Sequence, residues 1–142
     1  MAADFQPTEN IRRAGGGNVG RIFATQARRF PNDIALVDGA NGDESLTYAQ
    51  LNKRVNQLAH VMLERGVGVG DRVGLLSRNC GPFIEVDLAA AKIGAITTSL
   101  NWRLAPTELH HCIALTTPSL MFTQDVYLPA LEGTKPTRLG FG

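Results

Sequence analysis

The residues of this sequence best placed to do chemistry are Asn101-Trp102-Arg103, an amide, an indole and a guanidinium in a row. They follow a short run of strand composition, Ala95 to Ser99, and precede a segment opened by Pro106. That position, where a strand of an open α/β sheet gives way to a helix, is the usual place for ligand contacts. Arg103 has a plainer use as well: an arginine next to a tryptophan can simply stack on the indole.

A second candidate is Gly15-Gly16-Gly17-Asn18-Val19-Gly20, a literal G-x-G-x-x-G. Gly15, Gly17 and Gly20 would approach a pyrophosphate, and Asp38, at the end of the strand that follows, would hold a ribose. The motif needs a strand directly before its first glycine, because the pyrophosphate is held at a strand-to-helix turn. Phe5 to Ala14 is polar, with Glu9, Arg12 and Arg13, and makes a poor buried strand. A small dinucleotide-binding module is therefore a rival reading and not the leading one.

The remaining reactive side chains form no recognisable centre. Gly66, Gly68 and Gly70 come after a helix and before a strand, the wrong polarity for a phosphate cradle at a helix N-terminus. His60 lies alone, and adjacent His110 and His111 point to different sides of a helix, so no metal set forms. Cys80 and Cys112 lack CxxC spacing and read as reduced, core-type thiols. Ser77 and Ser99 have no G-x-S-x-G context, and Asp87 fits capping or an ion pair as readily as function. No Gly-rich, Ser/Thr-rich loop ending in lysine occurs anywhere in the chain.

Several elements must position these groups. Val19, Ile22, Phe23, Ala27 and Phe30 repeat at three and four and predict an amphipathic helix stopped at Pro31. Ile34 to Val37 and Leu46-Thr47 predict a loose hairpin. Thr47 opens a helix with a capping box, Thr47 to Gln50, and an apolar stripe of Tyr48, Leu51, Val55, Leu58 and Met62 ended by Gly66. Arg72 to Ser77 is apolar on both faces and predicts a central strand. A helix begun near Pro82 is apolar most of the way round, which argues for burial between layers, and Gly94 stops it. The strand at Ala95 to Ser99 follows, then a helix from Pro106 with Leu109, Cys112 and Ile113 inward, a strand at Ser119 to Thr123, and a helical turn at Tyr127 to Leu131. After Glu132 no periodicity remains.

This alternation predicts an α/β fold, a partial layered sandwich with a largely parallel sheet. Residues 1–18 are expected to be a flexible leader, 19–132 an incomplete α/β subdomain, and 133–142 an irregular tail. The 142 residues suffice to bury roughly 68–70% of the unfolded surface. A net charge of +1 gives no reason to expect nucleic acid or an anionic membrane as partner. No run approaches the ~18 apolar residues that span a bilayer, so a soluble, cytoplasmic protein acting on a small molecule is expected.

Four stretches come in a telling order: Leu46-Thr47-Tyr48-Ala49-Gln50-Leu51, then Gly70 to Asn79 (GDRVGLLSRN), then Ala91-Lys92-Ile93-Gly94-Ala95-Ile96, then Asn101 to Leu109 (NWRLAPTEL). Together they resemble the N-terminal part of AMP-forming acyl-CoA synthetases, members of the adenylate-forming superfamily, over about Val19 to Gln124. The resemblance implies activation of a carboxylic acid by ATP and Mg, release of pyrophosphate, and passage of the acyl group from AMP to CoA. It also implies that the phosphate loop and the adenylating lysine lie beyond Gly142, so that the chain alone is not catalytic and needs the remainder of a synthetase in cis or in trans. One residue carries over: Arg103 matches the arginine of an Asn-x-Arg-Leu motif that approaches the CoA phosphates in some members. The rival to the ligase reading, besides the dinucleotide module, is a non-enzymatic interaction or regulatory fragment with an exposed sheet edge.

Overall fold

The computed structural model describes residues 18–39 and 42–141. Helix α1 spans Val19–Arg29 and is capped by Asn18, whose side chain accepts from the Arg21 N–H at 2.8 Å. Asn18 therefore belongs to the helix and not to the leader; Gly15 and Gly17 lie outside the described residues. The expected stripe is only partly buried. Val19 and Ile22 are 59% and 55% exposed, while Gly20 and Ala27 are buried. Helix α1 packs by Gly20, Phe23 and Ala27, which share one face, and Val19 and Ile22 lie off that face.

Strands β1 (Ile34–Asp38) and β2 (Glu44–Thr47) form an antiparallel hairpin. Helix α2, Tyr48–Glu64, follows at once. The Gln50 N–H donates to Thr47 Oγ1 at 3.2 Å and the Thr47 N–H to Gln50 Oε1 at 2.8 Å, so the capping box forms as its local sequence dictates. At the other end Gly66 takes φ 82°, its N–H bonds to the Leu63 carbonyl and that of Val67 to the Met62 carbonyl. This pair of bonds is a Schellman ending, and it turns Val67 into the core.

Strand β3 (Arg72–Leu76) leads to α3 (Gly81–Ile93), β4 (Ile96–Leu100), α4 (Pro106–Thr116) and β5 (Leu120–Gln124). A 3₁₀ segment, Asp125–Leu131, then connects to β6 (Thr137–Phe141). The four strands form one wholly parallel sheet in the order β4-β3-β5-β6. The tail expected to be irregular thus contributes a strand. In Thr137-Arg138-Leu139-Gly140-Phe141 only Leu139 and Phe141 carry the alternating apolar signal, and Gly140 is a poor strand former, so the five residues alone are a weak strand signature. Its pairing partner β5 and the core beneath Leu139 and Phe141 supply the order instead.

The pleat of the sheet divides the core. Val73, Leu75, Leu120 and Phe122 pack with Leu51, Val55, Val86, Ala89 and Ala90 from α2 and α3 on one face. Leu76 and Met121 pack with Leu109, Ile113 and Leu131 from α4 and the 3₁₀ segment on the other. The architecture is α/β, with a parallel sheet between two helical layers. Among the described residues, no helix is long and apolar enough to cross a membrane.

Candidate functional site

The chain leaves β3 for α3 on one face of the sheet and leaves β4 for α4 on the other. The carboxyl ends of these neighbouring strands are therefore a topological switch point, the place where open α/β sheets bind ligands. Three segments meet there: Ser77 to Cys80 after β3, Asn101 to Ala105 after β4, and the 3₁₀ segment after β5.

Asn101 shapes the middle segment. Its Oδ1 accepts from the Arg103 N–H at 3.0 Å and its carbonyl from the Leu104 N–H at 3.1 Å, which fixes a turn with the Trp102 and Arg103 side chains at its tip. The turn ends at α4, where Glu108 Oε2 accepts from the Ala105 N–H at 2.8 Å. Trp102 is half-buried against the second core cluster and meets Tyr127 with ring centroids 6.3 Å apart.

Two guanidiniums lie on this indole. Arg103 Cζ is 4.4 Å and Arg78 Cζ 4.8 Å from its centroid. Arg78 is held further: its Nε donates to the Tyr127 hydroxyl at 3.1 Å and its backbone N–H to Gln124 Oε1 at 3.0 Å. Both arginines are exposed, and among the described residues neither takes part in an ion pair. The cluster offers an accessible anion two planar cations braced by aromatic rings. Sequence reasoning found Trp102 and Arg103 but not Arg78, Gln124 or Tyr127. The available signal was that Arg78 and Gln124 also sit at the carboxyl ends of predicted strands.

The other sequence candidates do structural work. Asp38 is buried, and its Oδ2 accepts from the Gly81 N–H at 2.6 Å, so the carboxylate caps α3. Gly20 faces the backbone of Lys92, with room for no Cβ: one built there would stand 2.7 Å from the Lys92 Cα. Gly20 and Asp38 are thus both engaged with α3. His60 Nδ1 contacts the Asn56 carbonyl and His110 Nε2 the Ala130 carbonyl, at 2.7 and 3.0 Å, while His111 is exposed. Cys80 and Cys112 are free thiols, Ser77 Oγ donates to the Arg78 carbonyl at 2.7 Å, and Asp87 is exposed. No group of three metal-ligating side chains occurs among the described residues.

Two further charged groups are withdrawn from solvent, Glu85 largely and Lys92 in part. Arg54 bridges Glu44 of the hairpin at 3.3 Å and Glu85 of α3 at 2.8 Å. The Glu85 contact is a close charge pair whose angle falls short of a hydrogen bond, so Glu85 Oε1 has no donor among the described residues. Lys92 Nζ donates to the side-chain carbonyls of Asn52 and Asn56, the latter at 2.6 Å, and stands 5.6 Å from the Phe23 ring centroid. Burial, and secondarily the positive charge of Arg28, lower the pKa of Lys92 from its ordinary value. A cleft of about 570 Å³ lined by His110, Thr117, Ser119, Lys135 and Thr137 opens at the amino ends of β5 and β6, away from the Trp102 cluster. Its residues show no convergent catalytic arrangement, so strand polarity and the paired cations favour the carboxyl end of the sheet.

Residues 23–139 match the AMP-binding enzyme family. The chain is 43% identical over 81 residues to the medium/long-chain-fatty-acid–CoA/3-oxocholest-4-en-26-oate–CoA ligase of Mycobacterium marinum, covering 57% of this chain and 14% of that one. It is 34% identical over 133 residues to the mitochondrial medium-chain acyl-CoA ligase ACSF2 of Macaca fascicularis, covering 85% and 21%. Its structure resembles the crystal structure of the N-terminal domain of FACL13 from Mycobacterium tuberculosis, with TM-score 0.81, 28% identity, and coverage of 87% and 34%. The chain belongs to the AMP-binding enzyme family and corresponds to an N-terminal portion of an adenylate-forming acyl-CoA synthetase. It spans about a fifth or less of the length of the curated relatives named here.

Proposed function

We propose that this chain serves as the N-terminal part of an ATP- and Mg-dependent carboxylic acid–CoA ligase that forms an acyl adenylate and then an acyl-CoA. The acid is a medium- to long-chain fatty acid, the class carried in the names of its relatives. The observation that supports a role in the second step is Arg103, exposed at the switch point and braced on Trp102. A guanidinium there suits a phosphate, which it binds through paired N–H donors.

CoA supplies the thiol that displaces AMP; the part of this chain is to bind and orient. Asn101 sets the turn, Trp102 restrains the guanidinium, and Arg103 contacts a CoA phosphate. The chain contains no glycine-rich loop ending in lysine. The groups that neutralise charge on the transferring phosphorus therefore come from the remainder of the ligase, and this chain by itself catalyses neither step.

The test separates the two half-reactions in the native polypeptide that carries this segment. Arg103→Met is expected to raise the KM for CoA while leaving acid-dependent ATP–pyrophosphate exchange unchanged. Equal loss in both half-reactions, or an unchanged KM for CoA, overturns the assignment of Arg103.

A further inference from the structure

We infer that Arg78 is a second cation of the same site, and that Arg78 and Arg103 together bind a diphosphate group across the edge of Trp102. This rests on the reading of Arg103 as a phosphate contact and extends it to the chemistry of the ligand segment.

Three observations carry the inference. Both guanidinium carbons lie within 5 Å of one ring centroid, at 4.8 and 4.4 Å, so their separation is no more than those two distances combined. A diphosphate, with oxygens at both ends, spans such a gap. Second, neither arginine is neutralised by a carboxylate among the described residues, and two exposed like charges no more than about 9 Å apart repel each other weakly. An anion between them removes that repulsion and gains two charge-assisted contacts. Third, Arg78 is fixed from two sides, by the Tyr127 hydroxyl at 3.1 Å and through its backbone by Gln124 at 3.0 Å. The Tyr127 bond and the indole contact reduce the side-chain freedom a ligand must remove, which favours binding. The two cations come from the loops after β3 and β4, so a ligand that bridges them also ties those two loops together.

Trp102 is the only tryptophan in the sequence, and its emission reports on both cations directly. The 142-residue chain is titrated at low ionic strength with inorganic pyrophosphate, inorganic phosphate and CoA. Pyrophosphate is expected to bind more tightly than phosphate. Arg78→Met and Arg103→Met are each expected to weaken pyrophosphate and CoA about fivefold, the upper end for exposed ion pairs. Either substitution brings the pyrophosphate and phosphate affinities together. Tyr127→Phe retains both charges but releases the Arg78 Nε, and is expected to give a smaller loss with the same preference for pyrophosphate.

If Arg78→Met leaves the pyrophosphate-to-phosphate ratio unchanged, Arg78 is not part of the site and the inference fails. If CoA binding is lost in Arg103→Met but not in Arg78→Met, the proposed role of Arg103 stands and only the inference falls. If the pyrophosphate preference depends on both arginines while Arg78→Met leaves the KM for CoA of the native polypeptide unchanged, the diphosphate site stands and its assignment to CoA falls. Circular dichroism of each variant shows whether the fold is retained, and Arg78→Lys, which keeps the charge but not the planar stack, provides a second measurement at the same position. Affinity equal to Arg78 itself in that variant would remove the role assigned to the indole.

Discussion

The Asp38 carboxylate, at the end of a hairpin strand, accepts the Gly81 N–H at 2.6 Å and so caps a helix that begins 43 residues later. The bond is buried and lies at the positive end of the α3 dipole, which adds to its strength. Asp38→Ala leaves a buried donor unsatisfied and is expected to cost about 1.5–3 kcal/mol, the range for a charge-assisted bond. The urea midpoint measures this. An unchanged midpoint would mean that water replaces the carboxylate at no cost.

Gly20 sets the distance between α1 and α3. Alanine is the better helix former, by roughly 0.8–1 kcal/mol, but its Cβ would stand 2.7 Å from the Lys92 Cα and N. Backbone atoms cannot swing aside, so the helices must separate, at about 1–3 kcal/mol. Gly20→Ala is expected to destabilise the chain on balance in denaturant titration. A gain in stability would show that α1 shifts freely on its neighbours.

Lys92 gives stability an alkaline dependence of unusual sign. Its folded pKa lies below the ordinary 10.5, so between the two values the unfolded chain binds more protons than the folded one. Below the folded value the full penalty of the half-buried ammonium is present. It fades as pH rises toward 10.5. Urea midpoints are expected to rise across that window relative to those of Lys92→Met, which carries no titrating group. Parallel pH profiles for the two proteins would refute the assignment.

Gly94 ends α3 at φ 76°, and a Cβ there would meet Val69 Cγ2 at 3.2 Å. Both the left-handed backbone and the contact oppose a side chain. Gly94→Ala is expected to cost about 1–2 kcal/mol from the backbone alone. Val69 is 86% exposed and can move, so Val69→Ala in the same background should recover little of the loss. Full recovery would place the cost in the contact instead.

Features set by neighbours in sequence were legible in the sequence. The Thr47–Gln50 capping box and the Gly66 and Gly94 helix stops are encoded within a few residues and form as expected. Asp38 stood out as a special acid, but its partner is 43 residues away and no periodicity points to it. Strand β6 was missed for a related reason: its order comes from β5 and from the core under Leu139 and Phe141. The candidate site was half legible. Asn101, Trp102 and Arg103 are adjacent, whereas Arg78 reaches the indole only because β3 and β4 lie side by side in register.

Strand β3 lies inside the sheet, yet both its partners follow it in sequence: Arg72 pairs with Ile96, and Val73 with Leu120. During synthesis at about 5–20 residues per second, the wait for β5 lasts on the order of seconds. Throughout that interval Val73, Leu75 and Leu76, fully enclosed in the finished fold, have an open backbone edge and uncovered side chains. A chain that ends before β5 therefore keeps one edge of β3 unpaired, with backbone donors and acceptors that another strand can fill.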